Sequence, residues 1–164
     1  VVENQAGMAT VNIYFSLGSN IGDRKKNIME ALHRMDEAFG GHFVALSELI
    51  ETEPMGFVGG RFLNAAVLYR TSSSAGGAMD VLDKVKAIER AMGRTDGPEY
   101  EADGKRIYHS RIIDIDILFY GNERIDNEKL IIPHKDIENR PFVMMPLKEI
   151  AEPSLKEAFP EYFE

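Results

Sequence analysis

Apolar residues recur along the chain with two different periods, and each change of period marks a new element. Residues 11–17 form an apolar run rich in β-formers, which predicts a strand, and residues 18–23 are dense in turn formers, which predicts a tight loop. Four apolar residues then recur at helical spacing before two glycines: Ile28, Leu32, Met35 and Phe39. This spacing predicts a helix over residues 24–39.

The same contrast of periods predicts four further elements. Strands are expected within residues 42–52 and 62–70, a helix over residues 79–92 and a strand over residues 111–121. The order strand, helix, strand, strand, helix, strand is typical of a ferredoxin-like α+β sandwich, with a mainly antiparallel four-stranded sheet and both helices on one face. A C-terminal extension follows, with a helical turn predicted near residues 145–150, and the second sheet face is expected to be open to ligands.

Two carboxylates interrupt the apolar pattern of the last of these strands. Asp114 and Asp116 are predicted to share one face with Ile112 and Leu118, whereas the opposite face carries Ile113, Ile115, Ile117 and Phe119. Two residues of strand rise separate the acids by roughly 7 Å. Because two ionised neighbours on a half-buried sheet repel each other and lose hydration, a nearby cation is expected. Magnesium is one candidate and Arg111 is another, while a strand end that faces water is the alternative.

Composition and charge narrow the classes of protein. At 164 residues with 44 % hydrophobic and 28 % charged residues, the chain is typical of one globular, soluble domain. The formal charge of -8 argues against a nucleic-acid binder, and the lack of cysteine excludes disulfides and thiolate metal sites. No apolar run approaches the length of a membrane span, so a cytoplasmic protein without a membrane partner is expected. Residues 1–9 are interpreted as a tail or expression remnant, and residues 10–164 as a single domain.

Polar residues near the acid pair suggest phosphate chemistry. The long segment over residues 94–110 carries several cations and leads directly into the acid strand, and His134 with Lys135 follows it. Such a set suits phosphoryl transfer, which depends on positioning and on charge stabilisation. Paired carboxylates also serve glycosidases and two-metal nucleases, so these alternatives stay open at this point. Asn64, an amide within an apolar strand, either satisfies a neighbouring backbone or reads a planar heterocycle.

Four motifs in order closely resemble the 6-hydroxymethyl-7,8-dihydropterin pyrophosphokinase family of folate biosynthesis. They are the runs over residues 15–20 and 62–67, the Arg111-x-x-Asp114-x-Asp116 segment, and the run over residues 133–142. The resemblance extends over residues 11–151. It implies a ferredoxin-like enzyme that moves the diphosphate of ATP to the hydroxymethyl oxygen of the pterin and releases AMP.

The resemblance also implies roles for individual residues. Asp114 and Asp116 would hold two magnesium ions between ATP and the pterin hydroxyl, with Arg94 and Arg111 completing the catalytic set. The ATP contacts would be Arg94, Arg111, His134, Lys135, Glu89 and Lys86. The pterin contacts would be Thr52, Pro54, Met55, Phe62, Asn64 and Phe142, with Asn64 reading the edge of the ring and the two phenylalanines stacking on its faces.

The chain departs from the family pattern before the acid strand. Tyr108-His109-Ser110-Arg111 stands where the family has Trp-Gly-Pro-Arg, and the segment after Arg94 is longer than in compact members. The second mobile arginine of the family therefore has no secure counterpart, and Lys105 and Arg106 are the candidates. The expected partners are small-molecule substrates and no nucleic acid, and the expected state is a monomer. A non-catalytic ferredoxin-like module that binds a nucleotide or metabolite is the rival interpretation.

Overall fold

The computed structural model describes residues 2–3, 9–40, 42–52, 61–72, 76–93, 99–100, 106–107, 112–135, 137 and 140–163. The elements in chain order are β1 (Val2–Glu3), β2 (Ala9–Ser19), α1 (Arg24–Ala38), β3 (Phe43–Leu46), β4 (Ile50–Thr52), β5 (Phe62–Ser72), α2 (Gly77–Ala91), β6 (Glu99–Tyr100), β7 (Arg106–Ile107), β8 (Asp114–Tyr120), β9 (Ile125–Asp126), β10 (Ile131–Ile132), α3 (Pro141–Ile150) and α4 (Pro153–Ala158), followed by a 3-10 turn (Pro160–Tyr162).

The main sheet is antiparallel and has β2 and β5 at its centre. β8 pairs with β2 on one side, and β3 and β4 pair with β5 on the other. The resulting order β8-β2-β5-β3 is that of a ferredoxin-like α+β fold, as the element order predicted. The predicted second strand is divided into β3 and β4, and β1 adds a short pairing with Ala9 and Thr10 of β2.

The first core lies between the sheet and helices α1 and α2. Its sheet side consists of inward residues of the three long strands, and its helix side includes Ile28 and Met35 of α1 and Val85 of α2. Asp23 is the N-cap residue of α1, and its side chain accepts a hydrogen bond from the Lys26 backbone N–H. This packing turns one face of every central strand toward the helices and leaves the other face for different partners.

A second core covers part of that other face. Leu147 of α3, Leu155 of α4 and Phe159 pack on Tyr14 and Phe119, and burial raises the pKa of the Tyr14 hydroxyl. The prediction of a wholly open second face is therefore wrong at this end of the sheet. Within the described residues, Asp114 and Asp116 are not part of this second core and are half-buried.

A bulge between β2 and β8 corrects the predicted face of Phe119. Phe15 opposes Ile117 and Tyr14 opposes Phe119, so Leu118 is the additional residue. Phe119 consequently joins Leu118 in the second core, although strict alternation had put it on the other face. Ile112 precedes the strand and packs toward α1 and α2 instead of lying beside the acids. The predicted positions of Ile113, Ile115 and Ile117 in the first core are confirmed.

None of the helices in the described part of the chain is both long and apolar enough to cross a membrane.

Candidate active site

Three adjacent strands bring an acid, a glycine and an amide into one row across the sheet. Gly18 of β2 is directly opposite Asp114 of β8 on one side and Asn64 of β5 on the other. Residues that oppose each other in antiparallel strands lie on the same face. Since neighbouring strands are about 4.8 Å apart, the backbones of Asp114 and Asn64 are separated by roughly 10 Å.

Gly18 keeps the middle of this row free of a side chain. A Cβ atom at Gly18 would lie 2.9 Å from Asn64 Oδ1 and 3.5 Å from Phe62 Cδ1. The expected tight loop begins later than predicted, because β2 continues to Ser19. Gly18 is therefore a strand residue, and its missing side chain forms a shallow groove in the sheet surface into which the Asn64 amide and the Phe62 ring extend.

The amide side of the groove is built by β4 and β5. Asn64 is 5 % exposed, and its Nδ2 donates a 2.6 Å hydrogen bond to Thr52 Oγ1. Thr52 lies opposite the half-buried Phe62 in the pairing of β4 with β5. The Thr52 hydroxyl thus fixes the direction of the Asn64 amide, whereas the sequence had predicted Thr52 only as a pterin contact.

The acid side of the groove is formed by β8 and by the segment that follows β10. The Asp116 side chain is 30 % exposed, and its Oδ1 lies 3.8 Å from His134 Nε2. His134 is held in place because its backbone N–H donates to Leu118 O of β8. The structure therefore brings together Asp114, Asp116 and His134, three residues that the sequence had singled out separately.

The donor set of the acid side fits a hard cation. Two carboxylates on one sheet face supply the oxygen ligands that magnesium prefers, and magnesium usually completes its octahedron with water and substrate phosphates. Within the described residues, no cluster of three or more His, Asp or Glu side chains forms a closed metal cage. An ion here would therefore share its ligands with a bound substrate.

The other predicted contacts within the described residues differ in burial. Lys86 of α2 and Lys135 are exposed. Phe142 of α3 is half-buried, packs against the second core, and lies 5.9 Å from the Arg140 guanidinium, measured to the ring centroid. Glu89 of α2 is only 7 % exposed, and its Oε2 accepts a 2.8 Å hydrogen bond from the backbone N–H of Ile115. This partner was not foreseen, and the prediction of a nucleotide contact gains no support from it.

Several predicted site residues lie outside the described residues. These are Arg94 and Arg111 of the catalytic set, Pro54 and Met55 of the pterin set, the candidate Lys105, and the divergent run over residues 108–110. Arg106 belongs to the two-residue strand β7, and its predicted role stays a prediction.

Sequence reasoning missed a clamp beside the amide side. Arg24, the first residue of α1, donates from Nη1 to Arg61 O at 2.8 Å and pairs with Glu51 of β4. The hydrogen bond from Arg24 lowers the pKa of the Glu51 carboxyl. The clamp ties the end of β4 to the start of β5, on either side of the Thr52–Phe62 pair. Because the three residues are far apart in the chain, no local pattern indicated it.

Comparisons of the sequence with known proteins found matches over most of the chain. A family model described as 7,8-dihydro-6-hydroxymethylpterin-pyrophosphokinase (HPPK) matches residues 14–152. The chain is 38 % identical to the 2-amino-4-hydroxy-6-hydroxymethyldihydropteridine pyrophosphokinase of Porphyromonas gingivalis, over 85 % of this chain and 90 % of that protein. It is 41 % identical to the mitochondrial folate synthesis bifunctional protein of Pisum sativum, over 84 % of this chain, and spans only 25 % of that relative's length.

Solved structures support the fold. The wild-type HPPK-DHPS of Plasmodium falciparum superposes with a TM-score of 0.62 at 16 % identity, over 96 % of this chain and 42 % of that one.

Proposed function

Since the chain belongs to the 7,8-dihydro-6-hydroxymethylpterin-pyrophosphokinase family, we propose that it transfers the diphosphate of ATP to the hydroxymethyl group of 6-hydroxymethyl-7,8-dihydropterin. The products are AMP and the pterin diphosphate, an intermediate of folate biosynthesis. In this reaction the hydroxymethyl oxygen forms a bond to the β-phosphorus of ATP. The bond between the β-phosphorus and the oxygen that stays with AMP breaks.

One observation carries the proposal: the row of Asp114, Gly18 and Asn64 across three strands. The row offers hard oxygen ligands at one end, a hydrogen-bonding amide at the other, and between them a glycine beside which the Asn64 amide oxygen lies. A nucleotide phosphate chain suits the first end, and a planar heterocycle suits the second. The two substrates would then meet above Gly18.

We assign ATP as the co-substrate and two magnesium ions to Asp114 and Asp116. When bound, magnesium neutralises phosphate charge and orients the reacting oxygens. His134, Lys86 and Lys135 are proposed as phosphate or nucleotide contacts together with Arg94 and Arg111. All of these groups act by position and charge, so the reaction needs no covalent intermediate on the protein.

The pterin contacts are proposed to work by hydrogen bonding and stacking. Asn64, oriented by Thr52, presents both an amide donor and a carbonyl acceptor to the edge of the ring. Phe62 and Phe142 would cover its two faces, with Pro54 and Met55 at the rim. Because these groups recognise a heterocycle and not a phosphate, they set substrate identity and not the rate of transfer.

Calorimetry tests the proposed function directly. The pterin is expected to bind much more tightly when a non-hydrolysable ATP analogue and magnesium are both present than when either is missing, because the acid side and the amide side form one site. A chelator should remove the enhancement. Equal pterin affinity under all conditions would support the non-catalytic binding module instead.

Gly18→Ala should weaken pterin binding by about 10-fold or more, because the new methyl group displaces Asn64 from its bond to Thr52. Stability should change little, since glycine within a strand costs about 0.5–1 kcal/mol relative to alanine. Calorimetry of the pterin and of the ATP analogue on the same variant provides the comparison. An unchanged pterin affinity would show that the groove above Gly18 is not the pterin site.

A monomeric state, a cytoplasmic location and a single domain over residues 10–164 complete the proposal. Gel filtration with light scattering measures the first of these.

A further inference from the structure

A buried carboxylate from the helix layer contacts the acid strand from behind. Glu89 lies near the end of α2, is 7 % exposed, and accepts a 2.8 Å hydrogen bond at Oε2 from the Ile115 backbone N–H. Ile115 is the single residue between Asp114 and Asp116. The contact therefore acts on the backbone that carries both acids.

The position of β8 in the sheet explains why this N–H needs a partner. Among the described strands of the main sheet, β8 pairs only with β2 and so forms an edge. An edge strand has backbone groups that no neighbouring strand satisfies. Glu89 provides the acceptor for one of them, at the point where the acids begin.

A second contact joins the same helix end to the same strand. Gly93 follows α2, and a Cβ atom there would lie 3.2 Å from Ile112 Cδ1. The close approach places the end of α2 directly against the start of β8. Glu89 and Gly93 thus fix the segment that presents Asp114 at two points, one on each side of the residue.

Glu89 brings a carboxylate to the backbone between Asp114 and Asp116. A carboxylate is a strong, directional acceptor that is suited to orient a peptide unit, since hydrogen bonds to a charged group are shorter and stronger than neutral ones. Groups that hydrogen-bond to metal-binding residues commonly orient them in this way.

We propose that Glu89 is a positioning residue for the acid pair, which holds the Ile115 peptide so that Asp114 and Asp116 point to the same magnesium site. It does so without contacting the nucleotide. The inference rests on the proposed function, because it assumes that the acids bind magnesium when ATP is bound.

The test compares the effect of magnesium on nucleotide affinity in Glu89→Ala, in Glu89→Gln and in a control. The control is Asp83→Ala, which removes an exposed carboxylate from the same helix. Affinity for a non-hydrolysable ATP analogue is measured by calorimetry with and without magnesium, and manganese binding is followed by electron paramagnetic resonance. Glu89→Ala should reduce the metal-dependent part of the affinity by about 10- to 100-fold and leave the metal-free affinity unchanged. Glu89→Gln should lie closer to the parent, because an amide oxygen still accepts the Ile115 bond. Asp83→Ala should match the parent.

Hydrogen exchange of the Ile115 amide gives a readout that is independent of ligands. Exchange should accelerate in Glu89→Ala and much less in Glu89→Gln, and thermal unfolding identifies a variant that fails to fold. If Glu89→Ala does not fold, Glu89→Gln decides: a smaller loss of affinity that is confined to the magnesium-containing condition, together with faster exchange of the Ile115 amide, supports the proposal, and parental values in both measurements overturn it.

Two results would overturn the assignment while leaving the proposed function in place. An equal loss of affinity with and without magnesium would make Glu89 a direct nucleotide contact. Unchanged affinity in both conditions would make the bond structural only. If the parent protein itself shows no magnesium-dependent nucleotide binding, the proposed function fails first, and the role of Glu89 fails with it.

Discussion

Asp116→Asn is expected to abolish AMP formation while the protein stays folded. The substitution keeps the shape of the side chain but removes one of two anionic oxygen ligands on the β8 face. Metal-assisted charge stabilisation contributes several kcal/mol to such reactions, so turnover should fall by about 1,000-fold or more. Without magnesium the stability of the variant should stay close to that of the parent, because relief of the repulsion between Asp114 and Asp116 is offset by the weakened contact of residue 116 with His134.

The matched control for this prediction is Asp126→Asn, which makes the same chemical change at an exposed residue of β9. AMP is measured after incubation with ATP, magnesium and the hydroxymethyl pterin, and stability is measured by thermal unfolding with and without magnesium. Asp126→Asn should retain parental activity. Near-normal turnover of Asp116→Asn would exclude Asp116 as a metal ligand.

Asn64→Ala should remove pterin recognition selectively. The amide is buried, fixed by Thr52 and turned toward the groove above Gly18, so it is the described side chain best placed to hydrogen-bond a heterocycle. Losing hydrogen bonds worth about 1–3 kcal/mol each should weaken pterin binding by about 10- to 100-fold. Affinity for the ATP analogue with magnesium, measured without pterin, should stay close to that of the parent.

Asn12→Ala is the control for this second prediction. Asn12 is also a sheet asparagine with a fully engaged amide, since its Oδ1 accepts from Arg70 at 2.8 Å and its Nδ2 donates to Glu152 at 3.2 Å. It lies on β2 at the end opposite to Gly18, so its loss should lower stability but not pterin affinity. If Asn64→Ala weakened the binding of the pterin and of the ATP analogue by the same factor, Asn64 would stabilise the whole site and would not recognise the pterin.

The C-terminal part of the chain shows where pattern reasoning fails. A helical turn was expected near residues 145–150, whereas α3 begins at Pro141, and α4 was not predicted at all. α4 has only six residues, too few for a helical period to be visible. Its apolar residues, Leu155 and Ala158, can be recognised as core residues only from their packing. Leu155 and Phe159 belong to the second core, and Ala158 packs against it.

The site residues also fall into two groups: those that a local sequence pattern reveals, and those whose role depends on residues distant in the chain. The acid pair, Asn64 and His134 were recognisable because each is an unusual polar residue in a local apolar pattern. The groove at Gly18 and the partner of Glu89 were not, because a glycine after a strand looks like a turn and a glutamate in a helix looks like a solvent-exposed residue. The resemblance had indicated Glu89 only as an ATP contact, and the positions of Glu89 behind Ile115 and of Gly18 between Asp114 and Asn64 depend on neighbours on other elements.

The sequence by itself determined the order of the elements, the ferredoxin-like class and the presence of two acids on one strand, since periodicity and turn chemistry act over a few residues. Only the tertiary structure decided the register of those strands and the docking of α2 on β8, and therefore that Gly18 separates Asp114 from Asn64 and that Glu89 reaches the Ile115 backbone. The physical reason is that sheet register and helix docking are set by packing among residues distant in the chain. A local pattern contains no record of those distances.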